Sequence, residues 1–136
     1  MIARLLVRVS SLVLFVSLAG CTALPKSEPT PAGVEIDGIV INNQLAITVT
    51  DAQVLVPATG NFVSCGNIQR RSSCSTGFPG RPYSSNALLV SWKESGTTQS
   101  TDEFVVEIGS DIDMGRSARL EVFIFSPGQA GARLIQ

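Results

Sequence analysis

Three cysteines, a group of arginines with aromatic neighbours, a pair of aspartates and a pair of glutamates are the residues of this chain that could do chemistry. Cys65 and Cys74 enclose the polar stretch 66–73. Two thiols at such a spacing in a small domain of an oxidising compartment pair as a disulfide. Closing a loop of this size contributes about 2–3 kcal/mol in the chain-entropy model. A zinc site would need two further ligands, and the chain has no histidine to supply them. A redox CxxC needs two intervening residues, not eight.

Arg70, Arg71 and Arg81 lie with Phe78 and Tyr83 inside residues 69–83, among Ser, Gly and Pro. A guanidinium presents a planar fork to carboxylate or phosphate, and the two rings offer stacking or apolar contact. The stretch has no strand character and reads as a loop, so the 66–83 region is a candidate site for an anionic ligand. The competing reading is a solvated connection whose arginines only aid solubility. Asp111-Ile112-Asp113-Met114-Gly115 has the DxDxG opening of a calcium loop. Position twelve of that loop would be Val122, where an EF-hand needs a bidentate glutamate, so a polar turn is the better reading and no metal is expected. Glu103 and Glu107, four apart on a strand, would share a face at about 13 Å. That is wider than the roughly 6.5–9.5 Å of an inverting glycosidase pair. The missing histidine excludes Ser-His-Asp and Cys-His catalysis and HExxH metalloproteases. No GxSxG, SxxK, P-loop or GxGxxG motif occurs. No catalytic residue and no cofactor is expected. A formal charge of -1 gives no whole-chain reason to expect nucleic acid as a partner.

The third cysteine has a different setting. Arg4 and Arg8 are followed by the uncharged, mostly apolar run 9–19 and then by Leu18-Ala19-Gly20-Cys21. This eleven-residue run is too short to cross a bilayer, which takes about 20 apolar residues, but it suits the hydrophobic region of a secretory signal. The order of basic start, apolar run, small residues and Cys resembles the lipobox of bacterial lipoprotein precursors. That resemblance covers the first fifth of the chain. It implies a signal helix over residues 1–20, cleavage before Cys21, a diacylglycerol on the Cys21 thiol and an acylated amino group. Thr22 stands where aspartate would favour inner-membrane retention, so the resemblance implies an outer-membrane protein facing the periplasm and held by its lipid. Loss of Arg4 and Arg8 with the signal would move the formal charge from -1 to -3. Residues 21–32, with Pro25, Pro29 and Pro31, then form an extended tether.

From residue 33 the apolar period is two, the mark of strands. Val34, Ile36, Ile39 and Ile41 flank Asp37-Gly38, which predicts an edge strand with a bulge at the glycine. Leu45, Ile47 and Val49 alternate with Ala46, Thr48 and Thr50, and the parity flips after Asp51 to Ala52, Val54 and Val56. Leu88, Val90 and Trp92 share one face, so Trp92 reads as core. Glu94-Ser95-Gly96 predicts a hairpin into one strand over residues 97–108, with Phe104, Val106 and Ile108 inward. In the segment 117–125 Ala118, Leu120, Val122 and Ile124 face inward, yet Phe123 and Phe125 make its other face apolar. Such a strand either lies centrally in its sheet or shows an apolar patch to a partner. Pro127-Gly128 stops it, and 130–135 add a last short strand.

The expected fold is all-β, over residues 33–136: a small antiparallel β-sandwich, Ig-like or transthyretin-like, with a small β-barrel as the alternative. The expected function is that of a non-enzymatic cell-envelope lipoprotein whose tethered sandwich binds another envelope protein. A periplasmic inhibitor or immunity lipoprotein, and a module for envelope glycan or an anionic ligand, are the alternatives.

Overall fold

A computed structural model describes residues 33–136. The signal, Cys21 and the tether expected from the sequence lie outside the described residues. Nine strands follow in order: β1 (Val34–Asn43), β2 (Val49–Val56), β3 (Asn61–Ile68), β4 (Ser73–Tyr83), β5 (Ala87–Glu94), β6 (Thr97–Ser100), β7 (Phe104–Val105), β8 (Ala118–Ser126) and β9 (Gln129–Ile135). They form two sheets, ordered β4-β1-β8-β9 and β3-β2-β5-β6, with β7 also paired to β5. The sheets stack as a β-sandwich rather than closing into a barrel. Among the described residues no helix is long and apolar enough to cross a membrane.

The core is the meeting of the two inner faces. Ile36, Ile39 and Ile41 of β1 and Leu120, Val122 and Ile124 of β8 come from one sheet; Val54 of β2 and Leu88, Val90 and Trp92 of β5 come from the other, all buried. Burying each side chain of this size contributes about 1.5–3 kcal/mol. The alternation read from β5 and β8 therefore holds residue by residue.

Several expectations need correction. β1 is not an edge strand but sits between β4 and β8, and its partnership with β8 is parallel. The bulge is where the sequence places it, between Ile36 and Gly38. Gly38 is required there by closeness, since a Cβ would come within 2.9 Å of the Thr76 carbonyl oxygen. The strand expected from Leu45 starts only at Val49. Asn43 holds residues 44–48 in a loop instead, its Nδ2 donating to the Ile47 carbonyl and its Oδ1 accepting from Leu45 N. The parity flip at Asp51 is an irregularity in the ladder, with Asp51 at φ 51°.

The segment 97–108 is two short strands, not one. Thr101 interrupts it: its hydroxyl accepts from Val90 N–H at 3.1 Å, and its own N–H donates to the Val90 carbonyl. A side chain thus stands in for a rung of the ladder. The preceding hairpin is as expected, with Ser95 at φ 48° and Gly96 at φ 82°, the pair of positive angles of a type I′ turn.

The largest correction concerns residues 69–83. Only the Gln69–Ser72 region is a turn; from Ser73 the chain is the longest strand of the fold, eleven residues along β1. Serine, glycine and proline concealed it, since strand propensity is low for each. Pro79 and Pro82 are tolerated because β4 is an edge strand, where one side of the backbone needs no partner.

Candidate functional site

Sheet edges β3 and β4 face each other along one margin of the sandwich. The Cys65–Cys74 disulfide joins them, with Cα atoms 6.0 Å apart. The expected pairing is therefore present, and it does more than close a local loop: it links one sheet to the other. Asn43 fastens the same end. It is 2% exposed, and its Nδ2 also donates to the carbonyls of Ile68 and Gln69, at the end of β3 and the start of the turn.

Beyond the disulfide the margin opens. Between Ile36 and Gly38 of β1 the ladder passes one residue, while β4 passes Phe78, Pro79 and Gly80 between Arg81 and Gly77. This wide bulge carries Phe78 against the core and away from flat pairing. The result is a cleft of about 500 Å³ between the sheets, floored by Ile36, Ile39, Val54, Leu88 and Leu120. Phe78, Arg81, Asn61 and Asn86 stand around it, and Phe62 of β3, 63% exposed, borders it. A volume of this size falls within the range of small-molecule pockets, roughly 300–1,000 Å³.

Three of the residues singled out in the sequence, Phe78, Arg81 and Tyr83, meet at this cleft. Their roles differ. Arg81 is opposite Ile36 in the ladder, and directly paired residues share a face, so it lies on the core-facing side of β4. Tyr83 is no exposed contact residue. It is 6% exposed, its hydroxyl accepts from Val106 N–H at 3.0 Å, and its proton faces the carbonyls of Val106 and Asn86 at 3.0 and 3.2 Å. Burial raises its pKa above 10.0, against a smaller lowering by the Val106 hydrogen bond. The phenol is a tie between the sheets at the end of the cleft opposite the disulfide.

A second group gathers on the outer face of the β4-β1-β8-β9 sheet. Arg71, Phe123 and Phe125 border a shallow polar depression with Asn42, Asn43, Gln44 and Glu121. Glu121 accepts from Asn42 Nδ2 at 3.1 Å and from Arg133 Nε at 2.7 Å, and the Arg133 guanidinium lies 5.2 Å from the Phe123 ring centre. Phe123 is thus half-buried beneath a cation, and only Phe125, at 48% exposure, is open. Arg70 is exposed in the turn and joins neither group. Of the two readings of this strand, β8 takes the interior position.

The opposite outer face was not legible as a patch. Phe62, Leu55 and Leu89 are ladder partners across β3, β2 and β5, and Val105 pairs with Ala87 beside them. All point away from the core, because their neighbours Val54, Leu88 and Val90 point into it. The hint in the sequence was parity: Phe62 is out of step with the inward Val63.

Asp111–Gly115 is a polar turn in which Asp113 Oδ1 accepts from Gly115 N–H and Gln136 brackets the backbone on both sides. Among the described residues no group of three or more acidic, cysteine or histidine residues is placed to hold a metal.

No family model matches the chain, and no curated protein matches it. Among solved structures it is similar to one described as the NMR structure of the protein from Eubacterium rectale, at 13% identity and a TM-score of 0.45, over 74% of this chain and 86% of that one.

Proposed function

We propose that the chain is a non-enzymatic lipoprotein of the cell envelope, with Cys21 acylated, residues 21–32 as its tether, and the β-sandwich as a binding module on the periplasmic side of the outer membrane. The inter-sheet cleft carries this reading. Its lining of aliphatic and aromatic side chains, with one guanidinium, two amides and the hydroxyls of Thr59 and Tyr83, suits holding a molecule more than transforming it. The lipobox residues support the address, since two or more acyl chains give stable anchoring where one is marginal.

A second reading, docking of another envelope protein, is favoured by the Phe62-Leu55-Leu89 row and Val105 on an outer sheet face. It replaces Phe123 as the aromatic contact, because Arg133 covers that ring. One experiment separates the two. A photoreactive residue is placed at Phe78, at Leu55 or at Phe125 of the full chain, and intact envelopes are irradiated. Adducts at position 78 support the cleft; adducts confined to position 55 favour the protein-docking face. Silence at all three positions would refute a binding role for these surfaces. For the anchor, Cys21→Ser is expected to abolish acyl labelling and leave an unprocessed precursor. Labelling that survives the change would overturn the lipoprotein assignment.

A further inference from the structure

Resting on the cleft as the binding site, we infer that its ligand is a single-chain amphiphile with an anionic head, a long-chain alkyl carboxylate, whose hydrocarbon lies between the sheets and whose head meets Arg81.

The interior sets the first half of this assignment. Ile36, Ile39, Val54, Leu88 and Leu120 offer only hydrocarbon, with the Phe78 ring at the side. At about 500 Å³ the space is at the lower end for organic ligands and suits one alkyl chain rather than two.

Arg81 sets the second half. Among the described residues it is the only charged side chain in the lining of the cleft. Its place opposite Ile36 puts it on the side of β4 that faces the hydrocarbon, not on the outer face where Glu35 and Pro82 pair. Among the described residues the ion pairs are Lys93–Asp51, Arg119–Asp37 and Arg133–Glu121; Arg81 is in none of them. An unpaired cation at the rim of an apolar cavity complements an anion arriving on an apolar chain. One guanidinium balances one carboxylate, charge for charge, through two parallel N–H···O bonds. A phosphate dianion would leave charge uncompensated at this rim.

An inward charge on an edge strand also serves as a guard against pairing with other chains. Here that guard is already supplied by Pro79 and Pro82, which offer no N–H to a newcomer. The two roles separate under charge reversal, since Arg81→Glu keeps an inward charge but repels a carboxylate.

The test uses the full chain in phosphatidylcholine nanodiscs and a palmitate analogue with a diazirine near the chain end. After irradiation, adducts are mapped by mass spectrometry. They are expected on cleft residues such as Val54, Phe78 or Leu88. Palmitate is expected to compete at least tenfold better than hexadecanol, and each methylene removed weakens competition about fourfold. Arg81→Glu is expected to cut labelling at least tenfold with thermal unfolding unchanged. Equal competition by hexadecanol or by hexadecyltrimethylammonium, or full labelling of Arg81→Glu, would overturn the carboxylate assignment. No adduct in the cleft would overturn the amphiphile altogether. The envelope crosslinking at position 78 reports separately on whether the cleft binds anything, so the two failures are distinguishable.

Discussion

Replacing Cys65 and Cys74 together with alanine tests whether the disulfide acts as a brace between sheets or only as the closure of a short loop. The cysteines are nine positions apart, so the ring holds about ten residues. The chain-entropy expression gives about 9 cal/mol/K for that ring, or about 2.7 kcal/mol at 25 °C. In a domain of this size each kcal/mol moves Tm by about 4–8 °C, which predicts a drop of about 11–22 °C. Circular dichroism melting of the variant against the oxidised protein measures it. Hydrogen exchange then locates the loss. Because β3 and β4 belong to different sheets and the bridge ties their edges, protection should fall along both strands, and most at the cleft margin. A Tm shift below about 4 °C, or lost protection confined to residues 66–73, would refute the bracing argument.

Further outcomes follow from three buried polar groups. Tyr83→Phe removes the hydroxyl that serves the Val106 N–H and carbonyl and is expected to lose about 1–3 kcal/mol in urea unfolding; an unchanged midpoint would show that the tie is dispensable. Tyr83 also predicts an alkaline limb: with the native pKa raised, its contribution is complete below pH 10 and is lost as the pH climbs from 10 through the native value. The chain has one tyrosine, so phenolate absorbance reports it directly, and Tyr83→Phe should abolish that part of the limb. Glu94→Leu strands the Trp92 Nε1–H, now bonded to the buried carboxylate at 2.7 Å, and should lose about 1–3 kcal/mol. Glu94→Gln keeps an acceptor and should lose less, and the single tryptophan's fluorescence follows both. Asn43→Ala breaks three donated hydrogen bonds and one accepted one and should lose about 2–5 kcal/mol by chemical denaturation; a loss under 1 kcal/mol would contradict its role as a fastener.

What the sequence showed was governed by where apolar residues alternate. The inward faces of β5 and β8, the bulge at Gly38 and the turn at Ser95-Gly96 were all readable, since each is a local pattern. β4 was not, because its hold comes from β1 and from a bridge to β3 rather than from its own side chains. The same blindness applied to the site. Arg81, Phe78 and Tyr83 stood out as a cluster of types, but only pairing with Ile36 and Val34 reveals that Arg81 faces the cleft rim while Tyr83 is sealed. Phe62-Leu55-Leu89 is a row made by three strands from different parts of the chain, so no single segment displays it. Phe123 looked free because its cover, Arg133, comes from the neighbouring strand.

The parallel junction of β1 with β8 governs the order in which the domain can be built. Strands β2, β3, β5 and β6 all lie within residues 49–100 and can assemble one sheet from neighbours in sequence. β1, although it comes first, has as its two neighbours β4 and a strand ending at Ser126. A chain delivered N-terminus first therefore keeps the central strand of the other sheet half-paired until nearly all of it has arrived. Pairing across such a distance is slow, so the edge of β1 that takes β8 stays unpaired through most of delivery. Until β8 arrives, that open edge offers unpaired N–H and C=O groups to any other chain, a template for misassembly.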